Sequence, residues 1–402
     1  MFGSMSPELQ LATACCHFPR GPAAQEAIAA ALAKPIDWSA FEEIVRRHRI
    51  PGLAAAALCS NDNDVPADAR QRLAKAGREC ATQDLIHAAE TARLQRLFDQ
   101  ADIPAMLLKG VPVGILAYGR IGVKQSWDID LLTTEAYLMP AFDLLERHGY
   151  RLAEPADLSR QALSRFARFT HEVQLRDDRG IAIELHWRLF SKPVLPGIDG
   201  TSDTVTVEVA GYPVKTLRED LLIAYLIAHG QEHGWGRLKW LADLGALLAQ
   251  KNEAELGALY AQALTDGRST EMAAAYLLCA RLLGLNLPVA LAATIENNEA
   301  AVRLAGISMD CIAHPLSGIE LPVLSRASLN LIASRFFPVR GWRLFFAELA
   351  AIWTQPAVRV RYPANADFLY HLLRVPIWLL RMPMRLGALR QTAPARESGS
   401  ER

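Results

Sequence analysis

Asp128 and Asp130 stand two residues apart in the segment WDIDLLT, and this is where the chain first offers chemistry. In a β-strand alternate side chains share a face, so both carboxylates project to one side while Ile129, Leu131 and Leu132 pack inward or across. Two carboxylates held that close repel each other, and a divalent cation between them relieves the repulsion. Magnesium takes carboxylate and phosphate oxygens, which suits such a pair. Exposed strand edges also carry D-x-D by chance, so the pair alone leaves both readings open. A third carboxylate, Glu184, lies in IAIELHWRL between Ile183 and Leu185, where burial without a partner is costly. If the two strands are neighbours, Asp128, Asp130 and Glu184 form a triad able to hold two ions for an in-line displacement at phosphorus.

Several polar residues fall near this triad. LLKGVPVG follows an apolar run and opens a helix, so the amides after Gly110 can face an anionic phosphate, with Lys109 adding charge beside it. Lys124, Gln125 and Ser126 precede the acidic strand as further phosphate or sugar contacts. His171 and His186 flank the strands around Glu184; each could orient that carboxyl or touch a nucleotide, and each could equally be a structural histidine. His229 and His233 have the four-residue spacing of a zinc pair, but Gly230 and Gly234 are expected to interrupt the helix, and no third ligand is evident nearby. With Arg237, Lys239 and Asp243 they read as a packing motif or a cleft rim. Trp235 and Trp240 read as core residues more readily than as a base-stacking platform.

The elements that must position these residues follow from periodicity. Residues 1–100 repeat apolar positions at helical spacing, as in WSAFEEIVRRH, with Asp37 placed to cap the helix that begins near Trp38. Residues 101–217 alternate short apolar runs with helices: PAMLL as a strand, VPVGILAY as a helix, WDIDLLT as a strand, and EAYLMPAFDLLERHG as a helix. There follow an extended piece near Tyr150–Ala153, a helix around Ala156–Arg168, a hairpin of FTHEVQLRD with IAIELHWRL about the turn Asp177 to Gly180, and a ribbon across VTVEVAGYPVKTL. Residues 218–390 turn helical again, and 391–402 are polar and expected to be disordered. The stretch ADFLYHLLRVPIWLLRMPMRLGALR reads as core-facing helices with basic outer faces, or as a membrane-surface helix.

The chain has 402 residues, 51% of them apolar, so it can build substantial cores. Lys plus Arg equals Asp plus Glu at 43 each, which leaves no global field to gather nucleic acid; any anion site must be local. Six scattered cysteines show no C-x-x-C pair, and reduced thiols in a cytoplasm are expected. No leader-like start and no apolar run of the roughly 20 residues a spanning helix needs are present, so a cytoplasmic protein without transmembrane segments is expected.

The order of these pieces resembles the DNA polymerase β-like nucleotidyltransferase superfamily. The combination of IDWSAFEEIVRRHRIPGL, DIPAMLLKG, SWDIDLL, IELHWRL and HGQEHGWGRLKWLADL resembles, more closely, a bacterial family of uncharacterised nucleotidyltransferases, over roughly residues 7–250. The sequence departs from that pattern at Val111, where relatives show Gly or Ser after the glycine, at Glu184 in place of Asp, and at Lys124 in place of Arg. The resemblance implies an α+β fold, a polymerase β-like mixed sheet flanked by N-terminal and C-terminal helical regions. It implies transfer of a nucleoside monophosphate from a nucleoside triphosphate such as ATP to a small-molecule or protein acceptor. Asp128, Asp130 and Glu184 would hold Mg2+ (or Mn2+), and Lys109, Gly110, Lys124, Ser126, His171 and His186 would contact the nucleotide. The alternative is a weak or inactive module of the same fold that binds a nucleotide or protein as an accessory or antitoxin-like protein.

Overall fold

The computed structural model describes residues 5–59, 64–192, 195 and 203–314, with a few positions between 334 and 372. The basic stretch 366–390 lies almost wholly, and the tail 391–402 wholly, outside the described residues. The N-terminal block folds as α1 (Pro7–Ala14), α2 (Pro22–Leu32), α3 (Trp38–His48), α4 (Pro51–Leu58) and the 34-residue α5 (Ala67–Gln100). Asp37 caps α3 as its position implies, accepting from Ala40 N at 3.1 Å.

The central block supplies β1 (Met106–Leu107), α6 (Val111–Tyr118), β2 (Asp128–Leu132), α7 (Leu138–Arg147), β3 (Arg151–Glu154), α8 (Arg160–Phe166), β4 (Glu172–Arg176), β5 (Ala182–His186), β6 (Thr204–Val209) and β7 (Tyr212–Leu217). Two elements are shorter than periodicity suggests. The strand in PAMLL keeps only two residues, because the chain turns at Gly110, whose φ of 76° favours glycine. The helix expected from Ala156 begins at Arg160, since Ser159 is the residue whose hydroxyl caps it, accepting from Ala162 N. The seven strands form one mixed sheet in the order β3-β4-β5-β2-β1-β7-β6. β2 and β5 are parallel neighbours, whereas β4 and β5 are the antiparallel hairpin anticipated around Asp177–Gly180.

After β7 come α9 (Glu219–Glu232), α10 (Leu238–Leu248), α11 (Glu253–Thr265), α12 (Ser269–Leu283), α13 (Val289–Glu296) and α14 (Glu299–Ala313). No helix among the described residues is long and apolar enough to cross a membrane. All six cysteines are free thiols.

Alternation along the strands divides the molecule into two cores. Ile129, Leu131, Val173, Leu175, Ile183 and Leu185 point to one side and pack with α5, α7 and α8. The helices before and after the sheet share the other core, in which Leu11 of α1 and Phe41 of α3 join Trp235, Leu241 and Tyr276. Asp128, Asp130, Glu172, Glu184 and His186 face the gap between the sheet and α9 and α10.

One buried carboxylate ties α5 to the sheet. Glu90 accepts from Tyr150 Oη and from Arg93 and Arg179. Burial works to raise its pKa, yet these three donors together bring it from 4.5 down to about 2. Its stabilising contribution is therefore present above the unfolded value and fades as pH falls from 4.5 toward 2. Urea midpoints measured between pH 6 and pH 3 should show a flatter acid limb for Glu90→Gln than for the wild type; parallel limbs would remove this assignment.

Candidate active site

The site is built by strand register. In the β2–β5 pair Asp130 lies directly opposite Glu184, and Asp128 lies opposite Ala182 one turn of the pleat earlier. In the hairpin, His186 faces Glu172 and Glu184 faces Gln174. Since residues two apart share a face, Asp128, Asp130, Glu184, His186 and Glu172 all project into one cavity of about 330 Å³. All but one of the residues singled out above as catalytic or nucleotide-binding line it: Lys109, Gly110, Lys124, Ser126, Asp128, Asp130, His171, Glu184 and His186. Gln125 lies instead in a neighbouring groove that reaches Ser126 and Trp127.

The charges are arranged asymmetrically. Asp130 is 1% exposed, and its Oδ1 lies 2.8 Å from Lys109 Nζ and 3.4 Å from His186 Nε2. Burial disfavours the Asp130 anion, but Lys109 and then His186 hold it well below the usual carboxylate range. Burial likewise works against a charged Lys109, and Asp130 more than offsets it, keeping the ammonium protonated. His186 is buried with Nδ1 3.2 Å from Glu172 and Nε2 3.8 Å from Glu184. Despite desolvation, Glu172 and Asp130 raise its pKa to about 10, so the ring is an imidazolium. Glu184 goes the other way: burial, followed by the like charges of Asp130 and Asp128, raises it to about 7. His171, desolvated and beside the charged His186, falls to about 3 and is neutral, with Nδ1 2.7 Å from Ser191 Oγ.

A divalent cation fits this donor set. Donor atoms of Asp130, Glu184 and His186 lie within 4.8 Å of one another, and those of His171, Glu172 and His186 form a second such group. Asp128 is less buried and belongs to neither group, but it stands on the same face at the cavity wall. The repulsion that lifts Glu184 is what a cation would relieve; a protonated His186 has no lone pair to give, so the ligands would be the carboxylate oxygens, which suit manganese as well as magnesium.

Other anticipated residues have different placements. Lys124 is buried and paired at 2.7 Å with Asp243 of α10, whose other oxygen accepts from Tyr118 Oη at 3.0 Å. Lys239 donates to Gln125 O at 3.2 Å; burial, reinforced by Lys124, lowers its pKa to about 7. The turn at Gly110 opens α6 toward the cavity, although Pro112 removes one amide from its first turn. Ser126 Oγ is buried with no hydrogen-bond partner among the described residues.

The helix carrying His229 runs through Gly230 rather than breaking there. Gly230 instead makes room for the Trp235 indole, which an added Cβ would meet at 2.5 Å. Trp235 is fully buried, as expected of a core residue, whereas Trp240 lines the cavity with His233 stacked on it at 5.0 Å. His229 and His233 belong to no group of metal donors among the described residues.

Sequence reasoning missed Glu172, Asp84, Arg49 and Trp127. Glu172 was within reach: counting back from the hairpin turn places it opposite His186. Asp84 of α5 accepts from Gly122 N at 3.1 Å and so holds the loop before β2. No local pattern marks it, because α5 is distant in sequence.

A seven-stranded mixed sheet flanked by helices, with acidic residues on adjacent parallel strands facing a cavity, defines an α+β protein of the nucleotidyltransferase fold. The chain belongs to the family described as uncharacterised nucleotidyltransferase, whose model matches residues 34–284, more than half of its length. That membership supports nucleotidyl transfer as its general activity and a nucleoside triphosphate as substrate. No curated protein and no solved structure matches the chain.

Proposed function

We propose that the protein moves a nucleoside monophosphate from a nucleoside triphosphate to an acceptor hydroxyl in a magnesium-dependent reaction. The observation that carries this reading is the register that sets Asp130 opposite Glu184, with Asp128 on the same face of one cavity. Asp128, Asp130 and Glu184 would hold the cation. When bound, it would neutralise charge developing at the α-phosphorus and lower the pKa of the acceptor hydroxyl. The chain's own residues do the rest. Lys109 keeps Asp130 ionised, the Gly110 turn lets phosphate approach the start of α6, and Ser126 Oγ is a free hydroxyl facing the cavity. His186 spans Asp130 and Glu172, which fixes the ring against β2 and β4. Attack by the acceptor oxygen forms the new P–O bond as pyrophosphate leaves with its electron pair.

A second reading has one observation in its favour. Lys109 and His186 already lie against Asp130, so the acidic face is partly neutralised by the chain itself, as a non-catalytic nucleotide- or protein-binding module would allow. Incubating the protein with each of the four α-labelled triphosphates, magnesium and cell extract separates the two. A labelled product that EDTA abolishes supports transfer; triphosphate binding without product in all four moves the assignment to the binding module.

A further inference from the structure

The cations closest to the acidic strands are engaged: Lys109 with Asp130 and Lys124 with Asp243. A nucleoside triphosphate brings about four negative charges, more than one divalent ion neutralises. Arg49 supplies another cation from an element outside the sheet. It is the residue that ends α3, and its side chain reaches the same cavity as Asp128, Lys109 and Ser126. Its guanidinium lies over the exposed Trp127 ring, 4.1 Å from the centroid. Its Nε is buried without a hydrogen-bond partner, and no carboxylate among the described residues closes an ion pair on it. Stacking on an indole uses the guanidinium face and leaves the N–H edge to donate, the geometry suited to bidentate contact with phosphate.

Two further facts agree with an engaged role. Arg49 sits in the left-handed region, φ 56° and ψ 47°, at a helix end where glycine or asparagine costs less. Desolvation and the nearby Arg237 both disfavour its charge, whereas Asp128 and Glu184 favour it, so the guanidinium is held at the rim of the acidic site. An anion bound between Arg49 and the cation site would supply the counter-charge that offsets that desolvation.

Resting on the proposed nucleotidyl transfer, we infer that Arg49, aligned by Trp127, binds the terminal phosphates of the incoming triphosphate and stays with the departing pyrophosphate. The α3 end thus closes a site whose acids come from the sheet. Calorimetric titration of the full chain with Mg-ATP, Mg-GTP, Mg-CTP and Mg-UTP, and with the matching monophosphates, tests this. Arg49→Gln should weaken the best triphosphate about 10- to 100-fold and leave its monophosphate within about twofold, with Arg49→Lys intermediate. Thermal melts of both variants should stay within a few degrees of the wild type, since Arg49→Gln gives up only the stacking on Trp127 and no ion pair among the described residues. Equal triphosphate affinity in wild type and Arg49→Gln overturns the inference while leaving transfer standing. A wild type that binds no triphosphate overturns both.

Discussion

Asp128→Asn should lower magnesium-dependent nucleotidyl transfer about a thousandfold, about 4 kcal/mol of transition-state stabilisation, while leaving the urea midpoint close to that of the wild type. The asymmetry of the site is the reason. Asp128 is partly exposed at the start of β2 and makes no ion pair among the described residues, so its charge is available for a cation and contributes little to the fold. Asp130→Asn should lose activity to a similar degree and also lose stability. Its carboxylate is buried against Lys109 and His186, and an amide takes the nearest counter-charge from Lys109 and leaves His186 with Glu172 as its closest carboxylate. The cost should fall below the roughly 3–5 kcal/mol of a wholly orphaned buried charge, because Glu184 and Asp128 remain close to Lys109. A rate assay paired with urea unfolding separates the two variants. Full activity in Asp128→Asn, or equal destabilisation by both substitutions, contradicts the division of labour drawn here.

The largest purely structural effect belongs to Asp243. Asp243→Ala leaves the buried Lys124 ammonium and the Tyr118 hydroxyl without their partner, next to a Lys239 that is already disfavoured as a cation. Removing one side of such a pair costs about 3–5 kcal/mol, and the urea midpoint should fall accordingly. Replacing both charges, as in Lys124→Met with Asp243→Leu, should be less harmful than the single change, because no unpaired charge is then buried. The Tyr118 hydroxyl would still lose an acceptor, at about 1–3 kcal/mol. A single variant within about 1 kcal/mol of the wild type would mean that water reaches Lys124 and that the pair does not fix the loop before β2.

These two experiments probe different parts of one construction. The acidic side chains sit where strand alternation puts them, and the loop from Arg120 to Trp127 that delivers them is fastened from two sides. Asp84 of α5 holds its backbone at Gly122, while Asp243 and Lys239 of α10 hold Lys124 and the Gln125 carbonyl. A family relationship over residues 34–284 spans both fastenings, α5 and α10, as well as the strands.

The amino-acid sequence by itself determined the face each acidic side chain takes and the β4–β5 hairpin, and left the pairing of β2 with β5, 54 residues further on, to the tertiary structure. Alternation in WDIDLLT and IAIELHWRL puts the acids on one face and the aliphatic residues on the other, and a four-residue turn fixes the hairpin register that brings Glu172 to His186. These are local rules of period two, and they act within a dozen residues. Only the tertiary structure decided which cations answer those acids. Lys109 serves Asp130 while Lys124 serves Asp243, and Arg49 arrives from the end of a helix about 80 residues upstream of β2, distances over which no periodicity operates. Helices before and after the sheet share one core, and burial summed over that core sets which side chains close over the acidic face.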